Sequence, residues 1–122
     1  MAKILLAEDD QFIRDIYYEV LKSARYTVTT AVDGKDALKK INEGDWDVVL
    51  IDNVMPQMTG VEVLKQFKKD DLHALAKYII LMTNTEETKE LNEIRGFYDD
   101  YILKSAITPG DLIERVKKGL KA

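Results

Sequence analysis

The sequence predicts an α/β fold in which a doubly wound, five-stranded parallel sheet carries helices on both faces. The strongest observation is the run VVLI at residues 48–51, four branched apolar residues that predict a strand buried on both sides. Four other short runs resemble strands, and segments of helical periodicity separate all five. Strands that alternate with helices through short connections predict a parallel sheet. The other runs begin at Ile4, Thr27, Tyr78 and Tyr101.

The helices follow from the spacing of apolar residues and from turn signals. Residues 11 to 23 form the first predicted helix, with Asp10 as its cap. The apolar stripe of that helix is predicted to contain Phe12, Ile13, Ile16, Tyr17, Val20 and Leu21. The second helix ends at Gly44, the third carries Val61, Leu64 and Phe67 inward, the fourth covers 86–95, and the fifth begins after Thr108.

Composition excludes several classes of function. The 122 residues carry a formal net charge of −4, which argues against a nucleic-acid surface. There is no cysteine, so disulfides, thiolate zinc sites and cysteine nucleophiles are excluded. No apolar run approaches the roughly 18 residues of a membrane span. We therefore expect one domain over residues 1–122, located in the cytoplasm by default.

Polar groups follow the apolar runs at positions that a parallel sheet brings to one edge. Glu8 and Asp9 follow the first strand, Asp52 ends the third, Thr83 ends the fourth and Lys104 ends the fifth. The carboxyl ends of the strands are where open α/β sheets bind ligands. Carboxylates so close together repel one another and need a cation. Oxygen ligands without histidine or cysteine favour Mg²⁺ or Ca²⁺ over zinc.

Asp52 is the candidate nucleophile of this edge. Carboxylates form aspartyl-phosphates, and a divalent cation together with a lysine would offset the charge of a transferring phosphoryl group. The hydroxyl of Thr83 would donate a hydrogen bond to that group. The residues themselves therefore indicate phosphoryl chemistry at Asp52.

These residues, taken in order, resemble the receiver domain of the two-component response-regulator family over essentially the whole chain. The resemblance implies the strand order 2-1-3-4-5 and a single phosphorylation switch that is not a conventional enzyme. The residues that carry it are Glu8-Asp9-Asp10, Asp33-Gly34 with Asp36-Ala37-Leu38, Asp52 with Met55-Pro56 and Gly60, Thr83, Asp99-Asp100-Tyr101 and Lys104.

The resemblance also implies a role for each site residue. Asp52 accepts a phosphoryl group from a histidine kinase or phosphotransfer protein, and Asp9, Asp52 and the backbone carbonyl of Val54 bind Mg²⁺. Glu8 acts on the metal largely through water, while Thr83 and Lys104 contact the phosphoryl oxygens. Thr83 and Tyr101 then form the switch. The face built from the fourth helix, fifth strand and fifth helix changes, and an effector protein or output domain reads it.

Several residues depart from the family pattern. Ser105 follows Lys104 where the family usually has proline after a cis bond, so that bond is either a strained cis peptide or a trans peptide in a reshaped loop. Asn84 stands where the family prefers a smaller residue and is expected to narrow access to Asp52. Phe97 and Tyr98 replace small residues, and they are either packing residues or a patch for a partner or a homodimer.

Two alternatives to the switch remain at this stage. Ser105 and Asn84 motivate a receiver-like interaction module that acts without phosphorylation. A flavodoxin-like nucleotide or flavin binder would need a phosphate loop after the first strand, where the acids Glu8 and Asp9 stand instead. Val54 and Thr85 hold the positions that influence autodephosphorylation in the family. Neither is an acid or amide that would orient water, which predicts a long-lived phospho-form.

Overall fold

The computed structural model describes residues 1–69, 75–84 and 89–121, and within them five strands form one parallel sheet. The strand order is β2-β1-β3-β4-β5, and every neighbouring pair is parallel. The predicted doubly wound sheet and its order are therefore confirmed. The strands are β1 Lys3–Ala7, β2 Thr27–Ala31, β3 Val48–Asp52, β4 Ile79–Thr83 and β5 Asp100–Leu103.

Helices connect successive strands, as the apolar periodicity predicts. The fourth predicted helix begins in residues 85–88, which lie outside the described part of the chain, and its described part covers five residues. A single 3₁₀ turn, Lys104–Ala106, precedes the last helix. The α-helices are α1 Gln11–Ser23, α2 Gly34–Asn42, α3 Gly60–Lys69, α4 Lys89–Glu93 and α5 Pro109–Leu120.

The core lies in two layers, one on each face of the sheet. Alternate side chains of β1 divide between them, so that Ile4 and Leu6 enter one layer while Leu5 enters the other. Helices α1 and α5 cover the first layer, and α2, α3 and α4 cover the second. Because β3 is central, all five of its residues are buried, Asp52 included. The apolar run at 48–51 is thus explained by burial on both faces.

Side-chain caps fix where the helices begin. The backbone N–H of Ile13 donates to Asp10 at 3.0 Å, which confirms the predicted cap of α1. Thr108 and Asp111 form a reciprocal capping box at the start of α5. These bonds satisfy backbone donors that the first helical turn leaves without partners. The caps therefore set the point at which the chain leaves the sheet edge.

The predicted apolar stripe of α1 is partly wrong. Phe12 is 74% exposed and Ile16 is 40% exposed, so the buried stripe of α1 is narrower than its apolar pattern predicts. In the loop after β3, the left-handed conformation belongs to Gln57 (φ 71°). Gly60 is the first residue of α3, and glycine is required there because a Cβ would lie 2.6 Å from the backbone oxygen of Asp52.

None of the helices in residues 1–69, 75–84 and 89–121 combines the length and the apolar character that crossing a bilayer requires.

Candidate functional site

The carboxyl edge of the sheet brings the predicted acids together. Glu8 and Asp9 follow β1, and Asp52 is the last residue of the neighbouring strand β3. One carboxylate oxygen from each of the three lies within 4.8 Å of those of the other two. Asp10, the fourth acid of this region, caps α1 instead. The three acids that the sequence assigns to a metal site thus form one cluster.

Lys104 reaches this cluster from the end of β5. Its Nζ donates to Glu8 Oε1 at 2.5 Å and to Asp52 Oδ2 at 3.1 Å. The Lys104–Ser105 peptide bond is trans, and the chain turns there into the 3₁₀ segment. Of the two alternatives for this bond, the reshaped loop is the observed one, and it leaves Lys104 directed at Asp52. The contact with Glu8 was not predicted from the sequence.

The cluster contains more acidic groups than basic ones. Burial, followed by the hydrogen bond and negative charge of Asp52, raises the pKa of Glu8 to about 7, although Lys104 opposes this shift. Burial and the charge of Glu8 also raise the pKa of Asp9. Burial alone would lower the pKa of Lys104, but its two carboxylate partners outweigh burial and raise it. One ammonium group therefore does not compensate for the acids around it.

The donor set fits a hard divalent cation. Glu8 has no exposed surface, and its Oε2 has no hydrogen-bond partner among the described residues. A buried oxygen without a partner is unusual, and an ion or ordered water is a common explanation. The three acids offer oxygen ligands alone, the type that Mg²⁺ prefers. The residues present therefore fit the Mg²⁺ that the sequence predicts.

Arg14 is a residue of this region that the sequence analysis missed. Its Nη1 donates to the backbone oxygen of Glu8 at 2.9 Å and to that of Asp9 at 3.2 Å. These bonds hold the loop between β1 and α1 from the first turns of the helix. Nothing in the spacing of an arginine five residues after an acid distinguishes it from an ordinary surface arginine.

The loop after Asp52 is held by Asn53 and by the absence of a side chain at Gly60. Asn53 Oδ1 accepts from Val61 N at 3.0 Å, and its backbone oxygen accepts from Gly60 N at 2.9 Å. The N–H of Val54 points back to Asp52 Oδ1 at 3.4 Å. Helix α3 therefore begins against the backbone of Asp52. Asn53 was also missed, since an asparagine after a strand is most often read as a turn residue.

Thr83 lies at the same edge of the sheet, and Tyr101 lies further back along β5. Thr83 is buried at the end of β4, and Asn84 beyond it is exposed. Tyr101 on β5 is half-buried against the core layer under α2, α3 and α4, and its backbone oxygen accepts from Arg115 at 3.0 Å. Thr85, the second position predicted to influence phosphate loss, lies outside the described residues.

The two aromatics before β5 contact the core. Phe97 and Tyr98 are half-buried and pack against the core layer under α2, α3 and α4. Packing, one of the two roles expected for this pair, is therefore observed for the buried part of each side chain.

A family model for the response regulator receiver domain matches residues 4–117. This chain belongs to that family. Receiver domains act in two-component signalling, partner histidine kinases and are not conventional enzymes. The chain is 34% identical over 122 residues to the transcriptional regulatory protein ResD of Bacillus subtilis, covering 98% of this chain and 48% of ResD. It spans about half the length of the curated relatives it matches.

Solved receiver structures have the same fold. The receiver domain of the Francisella response regulator 1452 matches with a TM-score of 0.86 and 28% identity, covering 99% of this chain and 98% of that one. The response regulator TrrA of Thermotoga maritima, in complex with Mg²⁺ and BeF, matches with a TM-score of 0.84 and 33% identity. That match covers 98% of this chain and all of TrrA. The receiver fold and its acidic pocket are thus established, and phosphorylation-dependent switching is consistent with them.

Proposed function

We propose that this chain is a phosphorylation-activated signalling switch in which Asp52 accepts a phosphoryl group from a partner histidine kinase or phosphotransfer protein. The observation that carries the proposal is the position of Asp52. Its carboxylate is buried at the end of the central strand, within 4.8 Å of those of Glu8 and Asp9, and it is hydrogen-bonded by Lys104. A turn-capping acid would need neither the cluster nor the lysine.

The Mg²⁺ site is assigned to Asp9, Asp52 and the backbone carbonyl of Val54, with Glu8 acting largely through water. The orphaned Oε2 of Glu8 and the upward shift of the pKa of Glu8 both indicate that this acid needs a cation nearby. The bound Mg²⁺ would supply positive charge that offsets the charge of the acids and of the phosphoryl oxygens.

Transfer requires an in-line attack by Asp52. An oxygen of its carboxylate attacks phosphorus, and the new O–P bond forms as the P–N bond to the donor's imidazole breaks. The imidazole nitrogen keeps the electron pair of that bond and takes up a proton. Lys104 Nζ, now 3.1 Å from Asp52 Oδ2, would donate to a phosphoryl oxygen, and the hydroxyl of Thr83 would donate to another.

The donor protein must approach Asp52 over an apolar surface. Phe12 and Ile16 are exposed on α1, just after Asp9, and Val54 is 66% exposed two residues after Asp52. Exposed apolar side chains beside a reactive group are typical of a protein docking site. They support a macromolecular phosphodonor in preference to a small molecule alone.

Phosphorylation of Asp52 would change the surface through which partners bind. It adds roughly −1.5 to −2 charges at Asp52, which would draw the hydroxyl of Thr83 toward the new group. Tyr101 is half-buried in this structure, and we assign to it the inward turn that follows. We assign the readout to the face formed by α4, β5 and α5, where an effector protein or output domain would bind.

A receiver-like module that binds its partner without phosphorylation is the second candidate. The trans bond before Ser105 and the exposed Asn84 beside Thr83 are the observations that favour it. The bonds from Lys104 to Asp52 and Glu8 favour the switch, because that loop keeps its lysine at the site.

Treatment with acetyl phosphate and Mg²⁺ distinguishes the two candidates. Intact mass spectrometry should detect one added phosphoryl group in the wild type, none in Asp52→Asn, and none when Mg²⁺ is chelated. Asp45→Asn, at an exposed acid outside the site, is the matched control and should gain the group normally. A wild type that never gains mass would support the phosphorylation-independent module.

Activation is tested separately. Beryllofluoride with Mg²⁺ should shift the NMR signals of Thr83 and Tyr101 in the wild type and leave them unchanged in Asp52→Asn. Signals of Tyr101 that do not respond would exclude it from the switch.

A further inference from the structure

A cavity lies at the amino ends of the strands, on the opposite edge of the sheet from Asp52. Its volume is about 470 Å³, and it lies between the last turns of α1 and the start of β2. Two half-buried tyrosines and two exposed cations contribute to its walls, together with the first residues of β2. We call it the β2 groove and define it by Tyr18, Lys22, Arg25, Tyr26 and Val28.

The open edge of β2 borders this groove. In the described part of the chain, β2 pairs with β1 alone. Thr27 N donates to Ala2 O at 2.9 Å, and Glu8 N donates to Ala31 O at 3.1 Å. In a parallel ladder, alternate residues bond to the same neighbour. The backbone groups of Val28 and Thr30 therefore point away from the sheet.

Helix α2 covers part of this edge. Lys40 Nζ donates to the outward oxygen of Thr30 at 2.6 Å, and Asp36 Oδ2 accepts from Val32 N at 3.0 Å. Among the described residues, no side chain bonds in this way to the outward N–H and C=O of Val28. An unpaired strand edge is a template for another strand. The covered half of β2 thus ends where the β2 groove begins.

The charge of the groove indicates what binds there. Lys22 Nζ lies 5.5 Å from the centre of the Tyr18 ring, and Arg25 is exposed beside it, in a chain whose net charge is −4. An acid is also close, because the charge of Glu114 adds to burial in raising the pKa of Tyr26. The two cations therefore favour an anionic side chain on the side of the groove that α1 forms.

We propose that the β2 groove binds an extended segment of a partner protein that carries an acidic and an aliphatic residue two positions apart, so that both side chains face α1. The segment would add as a further parallel or antiparallel strand, exchanging backbone hydrogen bonds with Val28. An aliphatic side chain would pack against the rings of Tyr18 and Tyr26, and an acid would pair with Lys22 or Arg25. A lipid headgroup would use the cations but leave the donor and acceptor of Val28 unpaired.

The probe is a synthetic peptide in which glutamate and valine take turns at every second position, with serine between them, blocked at both ends and titrated into the ¹⁵N-labelled protein. The expected result is a saturable shift of the backbone amide signals of Tyr26 and Val28. The same peptide methylated on alternate backbone nitrogens should lose this effect. A peptide with lysine in place of glutamate should bind more weakly.

Variants test the contribution of the two cations. Lys22→Gln combined with Arg25→Asn should weaken binding about three- to tenfold, because exposed ion pairs contribute little individually. Asparagine is chosen because Arg25 has φ 71°, a conformation that asparagine tolerates. Lys35→Gln, at an exposed lysine on α2 across the sheet, is the matched control and should leave binding unchanged.

Three outcomes would overturn the proposal. They are the absence of a saturable shift at Val28, equal binding by the methylated peptide, and equal binding by the lysine peptide. Titration with vesicles of anionic phosphatidylglycerol covers the competing explanation. Vesicle binding that depends on Lys22 and Arg25, without peptide binding, would assign the β2 groove to a lipid surface and refute the strand addition.

Discussion

Replacement of Glu8 by glutamine should remove a pH dependence of folding stability that the wild type carries. The pKa of Glu8 is raised from 4.5 to about 7, so the folded protein binds a proton that the unfolded chain has released. For a carboxyl group shifted upward, stability is greatest below the unfolded pKa and falls as pH rises toward the folded pKa. Glu8→Gln keeps an oxygen for Lys104 but cannot ionise.

The size of the effect follows from the two pKa values. Between about pH 5 and about pH 8, a single group with these values lowers the free energy of unfolding by roughly 2–3 kcal/mol. The raised pKa already includes the opposing effect of Lys104, so the ion pair between Lys104 and Glu8 does not reduce this amount further. The wild type should therefore lose this amount relative to Glu8→Gln as pH rises.

Urea unfolding in the presence of EDTA measures the difference. The chain has one tryptophan, Trp46, which is buried, so its fluorescence reports unfolding directly. Subtracting the two curves removes the contribution of every titratable group that the two proteins share. Glu19→Gln, at an exposed acid on α1, is the control and should retain the wild-type slope.

Mg²⁺ binding provides an independent check on the raised pKa of Glu8. Metal binding requires the deprotonated acids, so added Mg²⁺ should stabilise the wild type more at about pH 8 than at about pH 6. Stability in EDTA that stays level or rises with pH in the wild type would refute the assignment. A Glu8→Gln protein with the wild-type slope would refute it as well.

Three further predictions concern α5 and the phospho-form. Gly119→Ala should cost about 1–3 kcal/mol in urea unfolding, because the new Cβ would lie 2.4 Å from the ring of Tyr78. Gly110→Ala, whose Cβ meets nothing closer than 3.8 Å, is the control, and equal costs would contradict the steric argument. Thr108→Ala should cost about 1 kcal/mol by removing the cap of α5, and no loss would show the cap to be dispensable. Asp52 phosphate should persist in purified protein with Mg²⁺, and rapid loss of the added mass would contradict this.

The chain order of the elements could be predicted because each strand and helix carries a local pattern. Buried parallel strands need continuous apolar runs such as residues 48–51, and caps such as Thr108 act on the residues beside them. The position of the site was predictable for a similar reason. Parallel strands that end in polar residues place Asp9, Asp52 and Lys104 at one edge, whatever the details of packing.

Features that depend on side-chain packing could not be predicted. Phe12 and Ile16 fit the apolar stripe of α1, but the packed helix leaves them 74% and 40% exposed. The need for glycine at position 60 comes from the approach of α3 to the backbone of Asp52, which exists only after the helix has packed. Nor does the sequence reveal that Arg14 holds the loop carrying Glu8 and Asp9.

The sequence alone determined the order of strands and helices, the acids at the strand ends and the expectation of phosphoryl chemistry at Asp52. These follow from local periodicity and from the geometry of any parallel sheet. Tertiary structure alone decided that Lys104 donates hydrogen bonds to Glu8 as well as to Asp52, and that the peptide bond between Lys104 and Ser105 is trans. It also decided that, in the described part of the chain, β2 is an edge strand whose backbone groups at Val28 face outward. Each of these depends on distances between segments far apart in the chain, which no local pattern encodes.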